Sequence, residues 1–204
     1  MSKHFDESAK EWDKKQRRVL NAQKIAAAIK EQISFSPEDK ILDFGTGTGL
    51  LAWEIAPLVG EITGVDTSKE MLKIFASKDW PCKISTANIE LHQTLPSDKY
   101  DAIISSMTLH HVKDIPAYLR AFNHILKEEG YLAIADLDKE DGTFHTSGNE
   151  GVFHLGFDQS DLKIQLQKAG FHNITFKIVN ILQKETEDGG QKEFPIFLVL
   201  ARKR

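Results

Sequence analysis

The sequence predicts a single α/β domain with a mostly parallel β-sheet, and three observations support this. Between residues 40 and 137, short apolar runs alternate with amphipathic helical segments, a pattern typical of parallel strands joined by helices. A glycine-rich turn directly follows the first apolar run. Two long β-type runs, about residues 173–183 and 194–202, lie on either side of the polar segment 184–192, which predicts a hairpin. We therefore expect a seven-stranded sheet with helices on both faces and a C-terminal antiparallel β-hairpin.

The first predicted elements are an N-terminal helix and two strand–helix units. Apolar residues recur at helical spacing from about residue 16 to residue 33. Pro37 lies in the segment that ends this helix. Ser68 is a suitable N-cap for a later helix. The strands and helices predicted between residues 41 and 77 are 41–44, 49–58, 61–66 and 68–77.

Three further strands and two helices complete the parallel part of the predicted fold. Asp114 is a good N-cap, and Gly130 stands where a helix-terminating glycine is expected, so a helix is predicted between them. Asp158 or Ser160 begins the last helix, and Gly170 ends it. The remaining predicted strands are 83–86, 100–105 and 131–136.

The length of the chain favours one domain, because 204 residues with 41% hydrophobic content can form one buried core and are short for two. The expected segments are an N-terminal lid and helix (1–36), a cofactor-binding core (37–137), a substrate loop (138–157) and a C-terminal helix and hairpin (158–204). Residues 138–157 are long for a structureless connection, and such loops are usually functional or mobile.

The charge and cysteine content exclude several classes of protein. The formal net charge is −4, from 30 acidic and 26 basic residues, without the basic patch typical of nucleic-acid binding proteins. Cys82 is the single cysteine, so an internal disulfide is impossible and a reducing compartment fits best. No apolar run approaches the length of a membrane span, and the N-terminus lacks the apolar core of a signal peptide. We expect a cytoplasmic protein without a nucleic-acid or membrane partner.

The turn Gly45-Thr46-Gly47-Thr48-Gly49 predicts a nucleotide-like cofactor. Glycine lets the backbone turn tightly and approach a ligand closely, and a helix start supplies free N–H groups. Asp66, at the end of the second predicted strand, is a candidate for binding two ribose hydroxyls. The spacing departs from the dinucleotide pattern Gly-x-Gly-x-x-Gly, because Leu50 occupies the last position. Asp43, before the first glycine, suits a positively charged ammonium better than a pyrophosphate, so the cofactor is expected to carry an amine.

Four segments resemble, in the same order, motifs of the class I S-adenosylmethionine-dependent methyltransferases, particularly their small-molecule and quinone-type branch. They are residues 41–49, 65–72, 100–111 and 126–132, and the resemblance spans nearly the whole chain. It implies a Rossmann-like fold with S-adenosylmethionine as methyl donor and S-adenosylhomocysteine as product. It also implies methyl transfer to a small-molecule acceptor by in-line displacement.

The resemblance assigns cofactor contacts along the first two motifs. Asp43, Gly45 and Gly47 are expected to line the methionine part of the cofactor. Asp66 is expected to bind the ribose hydroxyls.

Further contacts are implied for the adenine and for the methionine end. Thr67 and Met71 are expected to flank the adenine. Asn88, followed by Ile89, stands in the segment where many relatives have an Asp that accepts from the adenine amino group, and its amide oxygen can still accept. Ser105, at the end of the fourth strand, is expected near the methionine end.

The N-terminal segment resembles a lid that folds over the cofactor in this branch. Phe5 and Trp12 are apolar enough to exclude water there. The alternative is a helix that packs two aromatic side chains on the core.

Histidines are the candidate acid–base residues. In-line displacement requires mainly alignment, but a neutral histidine could deprotonate an acceptor near pH 7. His110 is favoured as the catalytic residue, and His111, His145 and His154 are expected near the substrate. His145 and His154 are also conceivable metal ligands, yet no Cys pair or His-x-x-x-His spacing accompanies them. No metal is expected.

Three alternative functions remain open at this point. An NAD(P)-dependent reductase is disfavoured by Asp43, by Leu50 and by the terminal hairpin. A non-catalytic S-adenosylmethionine-binding regulator would bind the cofactor without turnover. An RNA or protein methyltransferase is disfavoured by the charge and by the lack of an added recognition domain. The sequence indicates neither the acceptor nor an oligomeric state.

Overall fold

The computed structural model describes residues 2–89, 95–145, 151–185 and 190–204. Its seven strands are β1 (Lys40–Phe44), β2 (Glu61–Asp66), β3 (Lys83–Asn88), β4 (Tyr100–Ser106), β5 (Leu126–Leu137), β6 (Phe171–Glu185) and β7 (Gln191–Lys203). They form one sheet in the order β3-β2-β1-β4-β5-β7-β6. The first five strands pair in parallel, and β7 pairs antiparallel with both β5 and β6. The predicted Rossmann-like sheet with a terminal antiparallel hairpin is confirmed.

Six α-helices accompany the sheet in the described part of the chain. They are α1 (Ser2–Ser8), α2 (Gln16–Lys30), α3 (Leu50–Ile55), α4 (Lys69–Ser77), α5 (Ile115–Ile125) and α6 (Gln159–Lys168). The predicted N-caps are present: the backbone N–H of Met71 donates to the Ser68 hydroxyl, and that of Ala117 donates to the Asp114 carboxylate. Asp158 caps α6. None of these helices is long and apolar enough to cross a membrane.

One predicted boundary is wrong. Helix α5 ends at Ile125 instead of near Gly130, and β5 begins immediately at Leu126, which pairs with Tyr100. Gly130 therefore lies within a strand. A Cβ atom there would lie 2.8 Å from the carbonyl oxygen of Lys127, so the glycine serves close backbone packing instead of helix termination.

The core lies on both faces of the sheet because neighbouring residues of a strand point to opposite faces. In β1, Ile41 belongs to the cluster that includes the apolar residues of α2 and α3, whereas Leu42 and Phe44 belong to the cluster of α5 and α6. Phe44 packs edge-on against Phe122, with ring centroids 5.0 Å apart. Burial of β1 on both faces holds its carboxyl end at the centre of the sheet edge.

The glycine turn joins β1 to α3 and is held by the end of β2. The backbone N–H groups of Gly45 and Thr46 donate to the carbonyl oxygen of Val65 at 2.8 and 3.0 Å. Gly45, Gly47 and Gly49 have φ angles of 70°, 56° and 85°, in the left-handed region that favours glycine. The surroundings of Gly49 and Gly47 differ. A Cβ atom at Gly49 would lie 2.6 Å from the Phe75 ring, whereas a Cβ atom at Gly47 would have no neighbour within 4 Å.

This difference predicts unequal costs for alanine at the two positions. Gly47→Ala adds only backbone strain, about 1 to 2 kcal/mol. Gly49→Ala adds a clash with a fully buried ring, for a total of about 2 to 4 kcal/mol. Urea unfolding of both variants measures the free energies. Equal losses in the two variants would contradict the packing around Gly49.

Candidate active site

An open cavity lies at the carboxyl ends of β1, β2 and β4 and is covered by the N-terminal segment. Its volume is about 1050 Å³, including the open mouth. Most of the residues that the sequence selected line it: Phe5, Trp12, Asp43, Gly45, Gly47, Asp66, Thr67, Met71, Ile89 and His111. Parallel α/β sheets place ligands at this edge because the helix N-termini and the turns after the strands meet there.

Asp66 connects the end of β2 to the glycine turn. One carboxylate oxygen accepts a hydrogen bond from the backbone N–H of Gly47 at 2.8 Å, and the other accepts from that of Ser68 at 2.8 Å. Burial raises the pKa of Asp66, although the backbone hydrogen bonds from Ser68 and Gly47 oppose the shift. Each oxygen keeps further acceptor capacity on the cavity side. Two neighbouring ligand hydroxyls can therefore donate to this carboxylate.

Asp43 is a buried carboxylate, 1% exposed, in the lining of the same cavity. Burial, together with the charge of Asp66, raises the pKa of Asp43 to about 7. The hydrogen bond that the Thr46 hydroxyl donates at 2.6 Å lowers the pKa but does not cancel this shift. No cationic side chain contacts it among the described residues. A ligand cation in the cavity would favour the ionised form of Asp43.

Two predicted cofactor residues lie outside the cavity lining. Ser105 is fully buried and donates to the Phe44 carbonyl oxygen at 2.8 Å, so it joins β4 to β1, and Ser106 lines the cavity in its place. Asn88 lies outside the lining: its amide nitrogen donates to the carbonyl oxygens of Asp66 and Thr67. The strand period determines which of two neighbours faces the ligand, and a one-residue error exchanges the faces.

The N-terminal segment is tied down over the cavity by polar contacts. The Asp6 carboxylate accepts from the Ser68 hydroxyl at 2.6 Å and from the backbone N–H of Glu70. The Asp13 carboxylate accepts from the Thr48 hydroxyl in the glycine turn and pairs with Lys78 at 2.9 Å.

Two aromatic side chains of this segment line the cavity. Phe5 lies edge-on to Trp12, with centroids 5.7 Å apart, and edge-on to His111, at 5.6 Å. The guanidinium of Arg18 lies 3.4 Å from the centre of the Trp12 ring, a cation–π contact. The segment therefore contributes two aromatic rings to the apolar part of the cavity wall.

The two histidines that follow β4 have different environments. His110 is 1% exposed and its Nδ1 lies 2.6 Å from a carboxylate oxygen of the equally buried Asp136. It does not line the cavity, whereas His111 does. We predicted His110 as the catalytic residue and His111 as a neighbour of the substrate; of the two, only His111 lines the cavity, because a 3₁₀ turn (Leu109–His111) directs consecutive side chains to different sides.

Asp136, at the end of β5, holds His110 from two directions. Besides the ring contact, it accepts from the backbone N–H of His110 at 3.2 Å and from that of Leu137 at 2.7 Å. Burial would raise the pKa of Asp136, but the charge and hydrogen bonds of His110 outweigh it and lower the pKa.

His145 joins this pair, whereas His154 does not. The His145 ring centroid lies 5.2 Å from that of His110 and 5.7 Å from that of His111. Burial, together with the charges of His110 and His111, lowers the pKa of His145 to about 4. His154 instead donates from Nε2 to the Val112 carbonyl oxygen at 2.9 Å.

Phe144 and Phe153, two aromatic residues of the predicted substrate loop 138–157, do not line the cavity. Phe144 packs against Phe194 in the core, with centroids 5.2 Å apart, and Phe153 is 48% exposed. The backbone N–H groups of Phe153 and His154 donate to the His110 carbonyl oxygen, so the loop covers the histidines. Residues 146–150, in the middle of this loop, lie outside the described residues.

Comparison with known families assigns the fold. A family model described as a methyltransferase domain matches residues 13–175, most of the chain. The chain belongs to this methyltransferase family. The match begins at Asp13 and includes the glycine turn, Asp66, the histidine pair and Asp136.

Two curated methyltransferases are similar to part of the chain. An uncharacterized methyltransferase of Schizosaccharomyces pombe is 33% identical over 116 residues, 52% of this chain and 41% of the relative. Phosphoethanolamine N-methyltransferase 1 of Zea mays is 27% identical over 170 residues, 77% of this chain and 34% of the relative. The chain thus spans less than half the length of these curated relatives.

A solved structure shares the fold. Phosphoethanolamine N-methyltransferase 2 of Haemonchus contortus, in complex with S-adenosyl-L-methionine, superposes with a TM-score of 0.67 at 16% identity, covering 89% of this chain and 52% of that chain.

Sequence reasoning missed several polar residues of this methyltransferase site. Asp6 and Asp13 bind the glycine turn and α4 from more than 30 positions away, and no local pattern marks such contacts. Arg18 and Asn21 line the cavity from α2. Asp136 carried a usable signal, since it ends a buried strand at the ligand-binding edge of the sheet.

The raised pKa of Asp43 predicts a pH-dependent stability. The folded protein binds a proton that the unfolded chain has lost between about pH 4 and pH 7, so this group lowers the stability progressively as the pH rises through that window. Asp43→Asn removes the effect, and its stability relative to wild type should increase by about 2 to 4 kcal/mol between pH 4.5 and pH 7.5. Denaturant unfolding without cofactor at both pH values measures this. A pH-independent difference would show that Asp43 titrates normally.

Proposed function

We propose that this chain transfers a methyl group from S-adenosylmethionine to a small-molecule acceptor. The observation that carries the proposal is the pairing of two carboxylates in one cavity: Asp43, buried without a cationic partner among the described residues, and Asp66, beside the glycine turn. S-adenosylmethionine carries an ammonium, a sulfonium and a ribose diol, and this pair complements those groups. A dinucleotide would bring its pyrophosphate close to Asp43.

The proposed binding mode follows from the lining residues. The ribose hydroxyls donate to Asp66, the adenine lies between Met71 and Ile89, and the methionine part extends past Gly45 toward Asp43. Gly47 leaves open space on the ligand side, which lets the cofactor approach the backbone closely. Of the two neighbouring residues that we predicted at the adenine, Ile89 lines the cavity and Asn88 does not.

Catalysis rests on alignment of the acceptor with the methyl group. Met107, Thr108, His111 and Phe5 line the cavity and would hold the acceptor beside the methyl group that the cofactor supplies. Holding the reactants in line can supply roughly 7 to 11 kcal/mol of the barrier reduction. Phe5 and Trp12 exclude water from the reacting atoms, as expected of a lid in residues 1–36.

A small-molecule acceptor fits the size and charge of the protein. The net charge is −4, which disfavours a nucleic-acid substrate. The maize and nematode relatives are named for phosphoethanolamine, a small molecule. A single half-buried cysteine fits a reducing compartment, from which we infer the cytoplasm.

Asp66→Ala is expected to abolish most of the cofactor affinity. Loss of two charge-assisted hydrogen bonds from the ribose raises Kd on the order of 100-fold. Calorimetric titration with S-adenosylmethionine measures Kd, and transfer of a labelled methyl group to a pooled small-molecule extract measures turnover. Near-normal affinity would refute the assigned ribose contact.

Asp79→Ala is the matched control, since Asp79 is an exposed carboxylate outside the cavity. Because Asp66 also accepts from Gly47 and Ser68, thermal unfolding of each variant must show that the fold persists. Wild-type binding without label transfer to any acceptor would favour the regulator over the enzyme.

Phe5→Ala tests the lid. Removing an aromatic ring from the cavity wall exposes the cofactor to water and should raise Kd roughly tenfold. Leu58→Ala, an exposed apolar truncation away from the cavity, is the control. If the two variants bind S-adenosylmethionine equally tightly, the N-terminal segment is a packed helix without a lid function.

A further inference from the structure

Three histidines converge beside the cavity from distant parts of the sequence. His110 and His111 follow β4, and His145 lies in the loop after β5. One potential ligand nitrogen from each of the three lies within 4.8 Å of those from the other two. Three histidines around a divalent ion, at about 2.0 to 2.1 Å each, place their nitrogens about 3.3 Å apart, so side-chain adjustments on the order of 1 Å suffice to close the set.

The hydrogen bonds of His110 and His111 engage Nδ1 of each ring. The Nδ1 of His111 lies 2.8 Å from the carbonyl oxygen of Gly151. A carbonyl can only accept, so Nδ1 of His111 carries the proton and Nε2 is the nitrogen that would bind a metal. In His110, Nδ1 faces the Asp136 carboxylate at 2.6 Å, so Nε2 is again the nitrogen that would bind a metal. In His145, Nε2 is buried and has no hydrogen-bond partner among the described residues.

The buried Nε2 of His145, unpaired among the described residues, requires a cation or a donor. The carboxylate behind His110 has the arrangement that supports metal-bound histidines, in which an outer carboxylate fixes the tautomer and raises the basicity of the ring. Asp136 is itself fixed by backbone N–H groups of His110 and Leu137. It also supplies negative charge that a divalent ion would compensate.

We propose that His110, His111 and His145 bind a first-row divalent metal ion, with Zn²⁺ as the best match. Imidazole ligands favour Zn²⁺ and its neighbours over Mg²⁺ or Ca²⁺, which prefer oxygen. Three protein ligands leave a coordination position open. The sequence predicted no metal because the spacing between residues 111 and 145 matches no short motif.

The location connects this metal site to the acceptor. His111 lines the cavity and touches Phe5 on its methyl-facing side, so an open position beside it reaches the space where the acceptor lies. This second step rests on the proposed methyl transfer. The metal site assigns as acceptors molecules with an ionisable hydroxyl or thiol. On binding the metal, the hydroxyl or thiol would release its proton to water. Its oxygen or sulfur would then form a bond to the methyl carbon as the bond between that carbon and the sulfonium sulfur breaks.

The test is metal binding by the full-length protein without a histidine tag. After dialysis against a chelator, the protein is titrated with Zn²⁺ in competition with a chromophoric chelator, and with Co²⁺ while its visible absorption is recorded. The expected result is one equivalent bound. His145→Ala and His111→Ala should each weaken binding at least tenfold, and Asp136→Asn, which affects a positioning residue, should weaken it about 10- to 100-fold.

His124→Ala is the control, because His124 is exposed on α5 outside the cluster. Thermal unfolding checks that each variant is folded. Should the Asp136 variant not fold, the His145 variant decides alone, since removing a loop side chain leaves the sheet intact. Binding that is absent in the wild type, or equal in wild type and His145→Ala, overturns the metal site.

A parallel titration with S-adenosylmethionine, in metal-free and Zn²⁺-loaded protein, separates the two proposals. Intact cofactor binding with no metal binding overturns only the metal site. Metal binding without cofactor binding overturns the methyl-transfer proposal and the acceptor class, and leaves the metal site standing. For the acceptor class, Zn²⁺ should raise label transfer to hydroxyl or thiol acceptors at least tenfold, and equal rates with and without Zn²⁺ would overturn it.

Discussion

The hydrogen bond between the backbone N–H of Gly47 and the Asp66 carboxylate is the contact on which the site depends. At 2.8 Å it joins the turn after β1 to the end of β2, and the bonds from Gly45 and Thr46 to Val65 reinforce the same junction. Asp66 is half-buried, and these N–H groups compensate its partial desolvation only if they stay in place. The carboxylate therefore organises the turn and faces the ligand at the same time.

The N-terminal segment extends this junction across the cavity. Asp6 binds the start of α4 and Asp13 binds the glycine turn through Thr48. Both contacts are made to the two elements that Asp66 already connects. A movement of the turn on ligand binding would therefore also move Phe5 and Trp12. These polar contacts hold the short segment over the cavity, so it needs no large apolar interface of its own.

Two buried aspartates show how the surroundings decide the state of a carboxylate. Asp43 and Asp136 are both almost inaccessible to water, and burial raises the pKa of each. The pKa of Asp136 is nevertheless lowered because His110 lies against it, whereas that of Asp43 remains raised because Thr46 supplies only a hydroxyl. Asp136 is matched within the protein, whereas Asp43 would be matched by the cationic ligand that we propose.

The sequence by itself determined the parallel sheet, the terminal hairpin, the glycine turn and Asp66, because these are encoded by local periodicity and by residue spacing within one strand–turn–helix unit. It also placed the caps at Ser68 and Asp114, since capping acts within one helical turn. Most of the cofactor lining follows from such local patterns.

Only the tertiary structure decided which residues meet from distant positions. The end of α5 at Ile125, the inward position of Ser105 and the difference between His110 and His111 each depend on which face of an element is covered. The cluster of His110, His111 and His145 depends on a loop that returns over β4. Contacts of this kind arise from chain packing, and a pattern within a few residues carries no information about them.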